Sequence, residues 1–171
     1  MRRCTGSRRA EHRQGRLGEL KVSTSVVPPE GETVLDVMLD VIDGGIEVAG
    51  TVRAPWKGEC RRCLRPVLGE VRAEVREIYR PRRGGERDTD DEETYPLGAD
   101  FLDLAPMARD AILLALPLAP LCRQDCPGLC PECGTDLSVD RCRCEQAVPA
   151  GPWAALDVLR QVPGEGSDPG A

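Results

Sequence analysis

Apolar and polar side chains alternate along two neighbouring stretches of the chain, and this alternation predicts a β-hairpin. In residues 33–41, TVLDVMLDV, every second side chain from Leu35 to Val41 is aliphatic and falls on one face of an extended strand. The stretch Ile46–Ala54 alternates in the same way, and Asp43-Gly44 between the two stretches is typical of a tight turn. We therefore expect two antiparallel strands whose aliphatic side chains face the core.

Two further segments have the composition of strands. After Pro66 the sequence VLGEVRAEVREIY alternates over much of its length, which favours a third antiparallel strand, although its Glu and Arg content also suits a helix. Val22–Val27 predicts a short strand that ends at Pro28. Residues 81–100 are rich in Gly and acidic side chains and predict a long connection.

A helix is predicted at about residues 104–116, where apolar side chains recur at the i, i+3, i+4 spacing. Asp103 is suited to the N-cap, and Pro117 ends the pattern. Pro152–Leu159 predicts a second, short amphipathic helix. The expected fold class is α+β, with a small antiparallel β-sheet, one or two packed helices and a C-terminal lobe resembling a zinc knuckle or ribbon.

The same patterns divide the chain into four parts. Residues 1–20 are basic and lack periodicity, so a disordered arm is expected there, with His12 as a solvated side chain. Residues 21–121 would form the β-rich domain with its helix. Residues 122–160 would form a cysteine-rich metal-binding lobe, and residues 161–171 a disordered tail.

The composition predicts a small aliphatic core that would need stabilisation by bound metal or by disulfides. The chain has 171 residues, with two Trp, two Tyr and one Phe, so the core must be aliphatic. With 18 Gly and 15 Pro, loops are abundant. Small aliphatic cores of this kind gain from bound metal or from disulfides.

Charge and the N-terminal sequence bear on location and partners. The formal net charge is −6, so the overall field does not draw the protein to RNA, and any such contact must be local. No apolar segment follows the basic N-terminal residues as in a secretory signal. A cytoplasmic location is expected, where closely spaced cysteines favour metal over disulfides.

The nine cysteines carry the strongest chemical signal of the sequence. Cys130 and Cys133 form a CxxC followed by Gly134, a knuckle that aims two sulfurs at one ion. Cys142 and Cys144 follow eight residues later and share one face of an extended segment. One predicted zinc site therefore comprises Cys130, Cys133, Cys142 and Cys144.

A second predicted zinc site is assembled from distant parts of the chain. Cys60 and Cys63 lie between two predicted strands, and Cys122 and Cys126 follow the helix. Joining these four would tie the C-terminal lobe to the sheet and couple metal binding to folding. Two alternatives stay open: a single site in which Cys122 and Cys126 join Cys130 and Cys133, and disulfide or redox use of the thiols.

Catalytic patterns are absent from the sequence. The one histidine, His12, lies in the basic arm, so no Ser-His-Asp or Cys-His pair is available. The sequence contains no P-loop, GxGxxG or HExxH motif. Four thiolates leave a zinc ion no open position for catalysis. An enzyme is not expected.

A cluster of basic residues surrounds the first CxxC. RNA phosphates or a partner protein are candidate ligands of this cluster, and compensation of anionic cysteines is the alternative. The candidate binding residues are Arg53, Lys57, Arg61, Arg62 and Arg65.

The cysteine motifs resemble those of the YceD family, the large ribosomal RNA subunit accumulation proteins. The resemblance covers roughly residues 20–160 and rests on CRRCL at Cys60–Leu64, on the helix end at Asp110–Pro117, and on CRQDCPGLCPECGTDL from Cys122. It departs at residues 149–156, PAGPWAAL, where many members have roughly DPRWAAL.

This resemblance implies a bacterial, cytoplasmic, non-enzymatic protein needed for processing or accumulation of large-subunit ribosomal RNA. The implied partner is that RNA, its precursor or a large-subunit ribosomal protein; no membrane or small-molecule substrate is expected. The alternatives are an acidic, zinc-containing protein-interaction module without RNA contact, such as a ribosomal-protein chaperone, and a thiol redox switch.

Overall fold

The computed structural model describes residues 6–81 and 94–144, which form a mostly antiparallel sheet, one helix and a cysteine cluster. The seven strands and the helix α1 have the following bounds: β1 Arg8–Gly15, β2 Leu20–Val22, β3 Ser25–Val27, β4 Thr33–Ile42, β5 Gly45–Glu59, β6 Pro66–Pro81, β7 Tyr95–Leu97 and α1 Ala105–Ala115. The predicted second helix and the C-terminal tail lie outside the described residues. Within the described ranges, no helix is long and apolar enough to cross a membrane.

The central hairpin predicted from alternation is confirmed. β4 and β5 pair antiparallel from Ile42↔Gly45 to Val34↔Arg53, and Gly44 turns the chain with a φ of 76°. Leu35 and Val37 are buried on the core face, opposite Val52 and Gly50. The register therefore puts the aliphatic set of both strands on one side.

The third antiparallel strand is also confirmed, and it makes the longest pairing in the sheet. β6 follows β5 from Glu59↔Pro66 to Ile46↔Tyr79. The loop that joins them, at Cys60–Arg65, is the tip of this long hairpin. At the opposite end, β7 adds to β6 in parallel through Tyr79↔Tyr95, whose rings stack with centroids 5.3 Å apart.

The prediction that residues 1–20 are disordered is wrong for the part of that segment that forms β1. β1 pairs antiparallel with β4 from Arg8↔Asp40 to Gly15↔Thr33. Its side chains are mostly exposed, so burial does not hold it. The strand is held by backbone pairing and by ion pairs such as that of Arg8 Nε with Asp40 Oδ2 at 2.8 Å. Neither interaction produces an alternating apolar pattern in the sequence.

The segment Val22–Val27 is not one strand but a small hairpin. β2 and β3 pair from Leu20↔Val27 to Val22↔Ser25. Ser23 makes the turn with a φ of 55°, a left-handed conformation that is uncommon for a residue other than glycine. Because no glycine or asparagine marks the position, the usual hairpin signal is missing.

The single described helix packs on the core face of the sheet. α1 lies one residue inside each end of the predicted range. The N-cap is Leu104 and not the predicted Asp103, which lies one residue earlier and accepts a hydrogen bond from the N–H of Ala105 at its Oδ1 at 3.0 Å. Met107, Ala108 and Ile112 are buried in one aliphatic cluster with the inward side chains of the strands. A separate small cluster contains Cys60, Cys63 and Cys126, so the hairpin tip has its own core.

Candidate metal centres

The tip of the β5–β6 hairpin and the segment after the helix bring four cysteines together. The Sγ atoms of Cys60, Cys63, Cys122 and Cys126 all lie within 4.8 Å of one another. Cys60 Sγ is 3.8 Å from Cys126 Sγ, and Cys63 Sγ is 3.6 Å from Cys122 Sγ. Four thiolates bound tetrahedrally to zinc at ordinary Zn–S lengths lie about 3.8 Å apart, so the arrangement fits such an ion. We call this group the bridging cysteine site.

The backbone of the hairpin tip explains how Cys60 and Cys63 point the same way. The N–H of Cys60 donates to the Arg65 carbonyl at 2.8 Å, and the N–H of Leu64 donates to the Cys60 carbonyl at 2.9 Å. Leu64 holds a φ of 60°. A leucine in this left-handed conformation is strained, which is typical of a turn fixed by its surroundings. The turn delivers Cys60 fully buried and Cys63 nearly so.

Backbone hydrogen bonds join this tip to the C-terminal segment on both sides of the cysteines. The N–H of Arg61 donates to the Pro120 carbonyl at 2.8 Å, and the N–H of Leu129 donates to the Arg62 carbonyl at 3.1 Å. Gly128 has a φ of 82°, and a Cβ there would lie 3.1 Å from the Arg62 carbonyl oxygen. Glycine is therefore required where the C-terminal segment approaches the hairpin tip.

The second group of four cysteines is local. The Sγ atoms of Cys130, Cys133, Cys142 and Cys144 also lie within 4.8 Å of one another, with Cys142 Sγ 3.2 Å from Cys130 Sγ and 3.5 Å from Cys133 Sγ. We call it the terminal cysteine site. The N–H of Gly134, whose φ is 71°, donates to the Cys130 carbonyl at 2.9 Å, which closes the knuckle.

Thiol ionisation in both groups is arranged by nearby donors and by the crowding of sulfur. The backbone N–H of Cys122 is the main cause that lowers the pKa of Cys60 to about 6. The Thr135 hydroxyl lowers the pKa of Cys133 to about 6. The neighbouring sulfurs of Cys142 and Cys133 raise the pKa of Cys144 to about 12. A divalent cation would relieve this repulsion and allow all four sulfurs to ionise.

Donor chemistry restricts what the two groups can hold. Four sulfur ligands in a tetrahedral arrangement suit zinc or iron, and they disfavour magnesium and calcium, which take oxygen ligands. All eight sulfur atoms are ligand candidates, so neither group leaves a cysteine over as a nucleophile. The two groups have the same membership as the two sites suggested by the spacing.

Two of the predicted binding arginines are occupied in the junction between the tip and the C-terminal segment. Arg62 Nη1 donates to the Cys126 carbonyl at 2.8 Å and to the Gln124 carbonyl at 3.4 Å. Arg65 Nε lies 3.3 Å from Asp136 Oδ2, and its guanidinium also contacts the Cys63 thiol. These two residues are exposed to solvent and at the same time join the bridging cysteine site to the C-terminal segment.

The other three predicted binding residues differ in their surroundings. Arg53 Nη2 lies 3.1 Å from Asp36 Oδ2, and the other oxygen of that carboxylate lies 2.5 Å from His12 Nδ1. His12 and Arg53 hold the pKa of Asp36 below its usual value. The side chains of Lys57 and Arg61 make no hydrogen bond or ion pair within residues 6–81 and 94–144.

Arg72 belongs with these residues and was missed by sequence reasoning. It is the register partner of Arg53, and Lys57 lies four residues further along β5 on the same side. We call Arg53, Lys57 and Arg72 the outer basic face, because they lie on the side of the sheet away from α1. Like charges opposite each other destabilise a strand pair, so a bound anion would stabilise the pair of Arg53 and Arg72. Glu70 and Glu74 flank Arg72 on the same side of β6. Arg72 carries no signal in the sequence because its partner depends on register.

Comparison with known families gives the cysteine groups a context. The family model "Large ribosomal RNA subunit accumulation protein YceD" matches residues 48–160. The chain belongs to the YceD family. The matched region contains all eight cysteines of the two sites.

Curated relatives agree with this membership. An uncharacterized protein of Mycobacterium bovis is 40% identical over 124 residues, which covers 71% of this chain and 59% of the relative. An uncharacterized protein of Mycobacterium leprae is 39% identical over 107 residues, covering 62% of this chain and 49% of the relative. The chain thus spans about half to three fifths of the length of these relatives. No solved structure matches the chain.

We predict that Arg62→Ala weakens metal retention at the bridging cysteine site without abolishing it. The guanidinium fixes the Cys126 carbonyl, and loss of a partner that orients a ligand typically costs about 10–100-fold in metal affinity. Competition with a chromophoric chelator measures the affinity of the ion that is more weakly bound, which in this variant is expected to be the one in the bridging cysteine site. Arg61→Ala is the matched control, since both side chains are exposed but that of Arg61 makes no hydrogen bond within the described residues, and an equal effect of both variants would contradict the role given to Arg62.

Proposed function

We propose that this YceD-family protein is a non-enzymatic, cytoplasmic ribosome-biogenesis factor that is stabilised by two zinc ions and supports accumulation of large-subunit ribosomal RNA. The observation that carries the proposal is the family match over residues 48–160, which contains both groups of four cysteines. Zinc acts here on folding: it closes a hairpin tip and a knuckle, and it leaves no open coordination position for chemistry.

Direct RNA contact is assigned to the outer basic face and to Arg61. Lys57, Arg61 and Arg72 are exposed, and Arg53 adds a fourth positive charge beside Asp36. Against a formal net charge of −6, the attraction is local and depends on salt. The bridging cysteine site fixes Arg61 relative to the sheet, because its backbone N–H is bonded to Pro120.

A binding assay with a large-subunit ribosomal RNA precursor fragment over a salt series tests this assignment. The triple variant Lys57→Glu, Arg61→Glu, Arg72→Glu is expected to abolish binding or to reduce the salt slope by about three, one per lost phosphate contact. The control reverses three other exposed basic residues, Arg16, Lys21 and Arg80. RNA binding that is equally weakened by both triple variants would contradict a specific face.

Arg62 and Arg65 are excluded from that test for a structural reason. Arg62→Glu would remove the contact with the Cys126 carbonyl. Arg65→Glu would place a second carboxylate beside that of Asp136. Either change would disturb the bridging cysteine site, and a loss of RNA binding would then report unfolding of the tip.

A protein partner is the second candidate, and one observation favours it. Three of the five arginines and lysines around the first CxxC, namely Arg53, Arg62 and Arg65, have partners within the chain, which reduces the positive charge offered to RNA. An acidic module of this kind suits a basic ribosomal protein. Pull-down of a ribosomal protein by a preparation that does not bind RNA at any salt concentration would favour this candidate over the first. Reversible metal release under mild oxidant would instead favour a thiol switch.

A further inference from the structure

An open groove of about 340 Å³ lies between β6 and α1, away from both cysteine sites. Its apolar surface includes Val75 from the strand and Met107, Ala111 and Leu114 from the helix. The carboxylates of Glu77 and Asp110 lie on the groove side of the sheet, that of Glu74 points to the outer side of the same strand, and none of the residues that line the groove is basic.

The helix presents a wider apolar surface than the sheet covers. Met107, Ala111 and Leu114 follow the i, i+4, i+7 spacing of one helical face, which is turned toward β6. Leu114 is 88% exposed, whereas Ile112 two residues earlier is fully buried. An exposed leucine beside a groove marks a contact surface more often than a leucine alone on a convex surface does.

The strand on the other side of the groove has an unpaired edge. β5 pairs with one edge of β6, and β7 pairs with the second edge only at Tyr79–Pro81. Over the rest of β6, no other described strand pairs with that second edge. In an antiparallel sheet, the N–H and C=O groups of alternate residues point to each edge, so a row of them is directed outward here.

We propose that this groove binds an extended, lysine- or arginine-containing segment of a partner protein, which adds a strand to the open edge of β6. Its apolar side chains would pack on Leu114 and Ala111, and its basic side chains would meet Glu77 and Asp110 on the helix side or Glu74 on the outer side of the same edge. The three carboxylates make the groove unfavourable for nucleic acid. The apolar contact is independent of RNA contact, because the outer basic face lies on the side of the sheet opposite Leu114.

Fluorescence anisotropy with labelled peptides tests this proposal on the metal-loaded full chain. The probe is the strand-forming peptide Lys-Val-Lys-Leu-Lys-Val-Lys, with its counterpart in which Glu replaces every Lys. We expect the basic peptide to bind and the acidic one not to bind. Two further probes carry N-methyl groups at alternate residues in the two possible frames. One frame is expected to lose binding by at least about tenfold, because it removes the donors that face β6.

Variants locate the binding on the protein. Leu114→Arg is expected to weaken binding of the basic peptide by about tenfold or more, and Glu74→Lys to have an effect in the same direction. Leu68→Arg is the matched control: Leu68 is 78% exposed and lies on the outer side of the same strand. Unchanged melting temperature and metal content show that each variant is folded.

Several results would overturn the proposal. These are equal binding of the acidic and basic peptides, equal weakening by Leu114→Arg and Leu68→Arg, and no effect of either methylation frame. If a short RNA displaces the basic peptide, and Leu114→Arg weakens binding of that RNA, the groove is assigned to nucleic acid. A dimer in sedimentation that Leu114→Arg dissolves would assign it to a second copy of the chain.

Discussion

Replacement of Cys126 by serine is expected to remove one of the two metal ions and to detach the C-terminal segment from the hairpin tip. Cys126 is 1% exposed and supplies one of only two sulfurs that residues 122–126 contribute to the bridging cysteine site. Structural zinc contributes about 10–16 kcal/mol in zinc-finger peptides at neutral pH, so loss of a ligand removes a large part of the stability of this junction. Hydrogen exchange measures the result at two amides, those of Arg61 and Leu129, which bond across the junction.

Cys142→Ser is the matched control for this variant, because it removes one ligand from the terminal cysteine site. It is expected to speed exchange at the amides of Cys130 and Gly134, which bond within the knuckle, while Arg61 stays protected. If Cys126→Ser and Cys142→Ser affect the same amides equally, the eight cysteines act as one site. The assignment to two sites would then be contradicted.

Removal of metal by a strong chelator is expected to unfold the cysteine-rich segment and leave the sheet intact. The aliphatic core of the sheet and helix is separate from the small cluster around Cys60, Cys63 and Cys126, so it does not depend on the metal. Without a cation, the crowded sulfurs favour protonation, as the raised pKa of Cys144 shows, and the two sites lose their centre. Because the ligands must be deprotonated, the same loss is expected as pH falls.

Far-ultraviolet circular dichroism and hydrogen exchange after chelation measure this effect together. The expected result is retained strand signal, protected amides in β4, β5 and α1, and exposed amides after Pro120. Re-addition of zinc should restore protection, whereas magnesium should not. A chelator that leaves every amide unchanged would show that the thiols hold no metal. One that unfolds the whole sheet would show that the two clusters fold as a single unit.

The elements that were predictable from the sequence are those whose pattern reflects burial. Alternation between Leu35 and Val41 identified β4 because one face of this strand packs on the core. The helix was found because its apolar spacing reflects the burial of one face, although its N-cap is Leu104 and not Asp103. Cysteine spacing grouped Cys130 with Cys133, and elimination left the four distant residues that the fold brings together.

The features that were missed depend on pairing between distant segments. β1 is an edge strand held by backbone bonds and exposed ion pairs, and an arginine-rich sequence has no periodic signal for that. The β2–β3 turn uses Ser23 in a conformation for which the sequence offers no marker. Arg72 is a candidate only because the register places it opposite Arg53, and the contact of Arg62 with the Cys126 carbonyl depends equally on the fold.

In the proposed account, metal binding sets the position of a surface. The bridging cysteine site holds the segment after α1 against the hairpin tip, and the tip carries Arg61 beside the outer basic face. The terminal cysteine site closes the knuckle between Cys130 and Gly134. The proposed partners meet two different sides of the sheet, RNA at the outer basic face and a basic segment at the groove beside α1.

The metal content of the purified chain, measured by native mass spectrometry alongside the mass of the denatured chain, tests the central claim most directly. The claim predicts two zinc ions per chain in the native spectrum, one ion after Cys126→Ser and one after Cys142→Ser. One ion in the unmodified chain, none, or iron in place of zinc would contradict it.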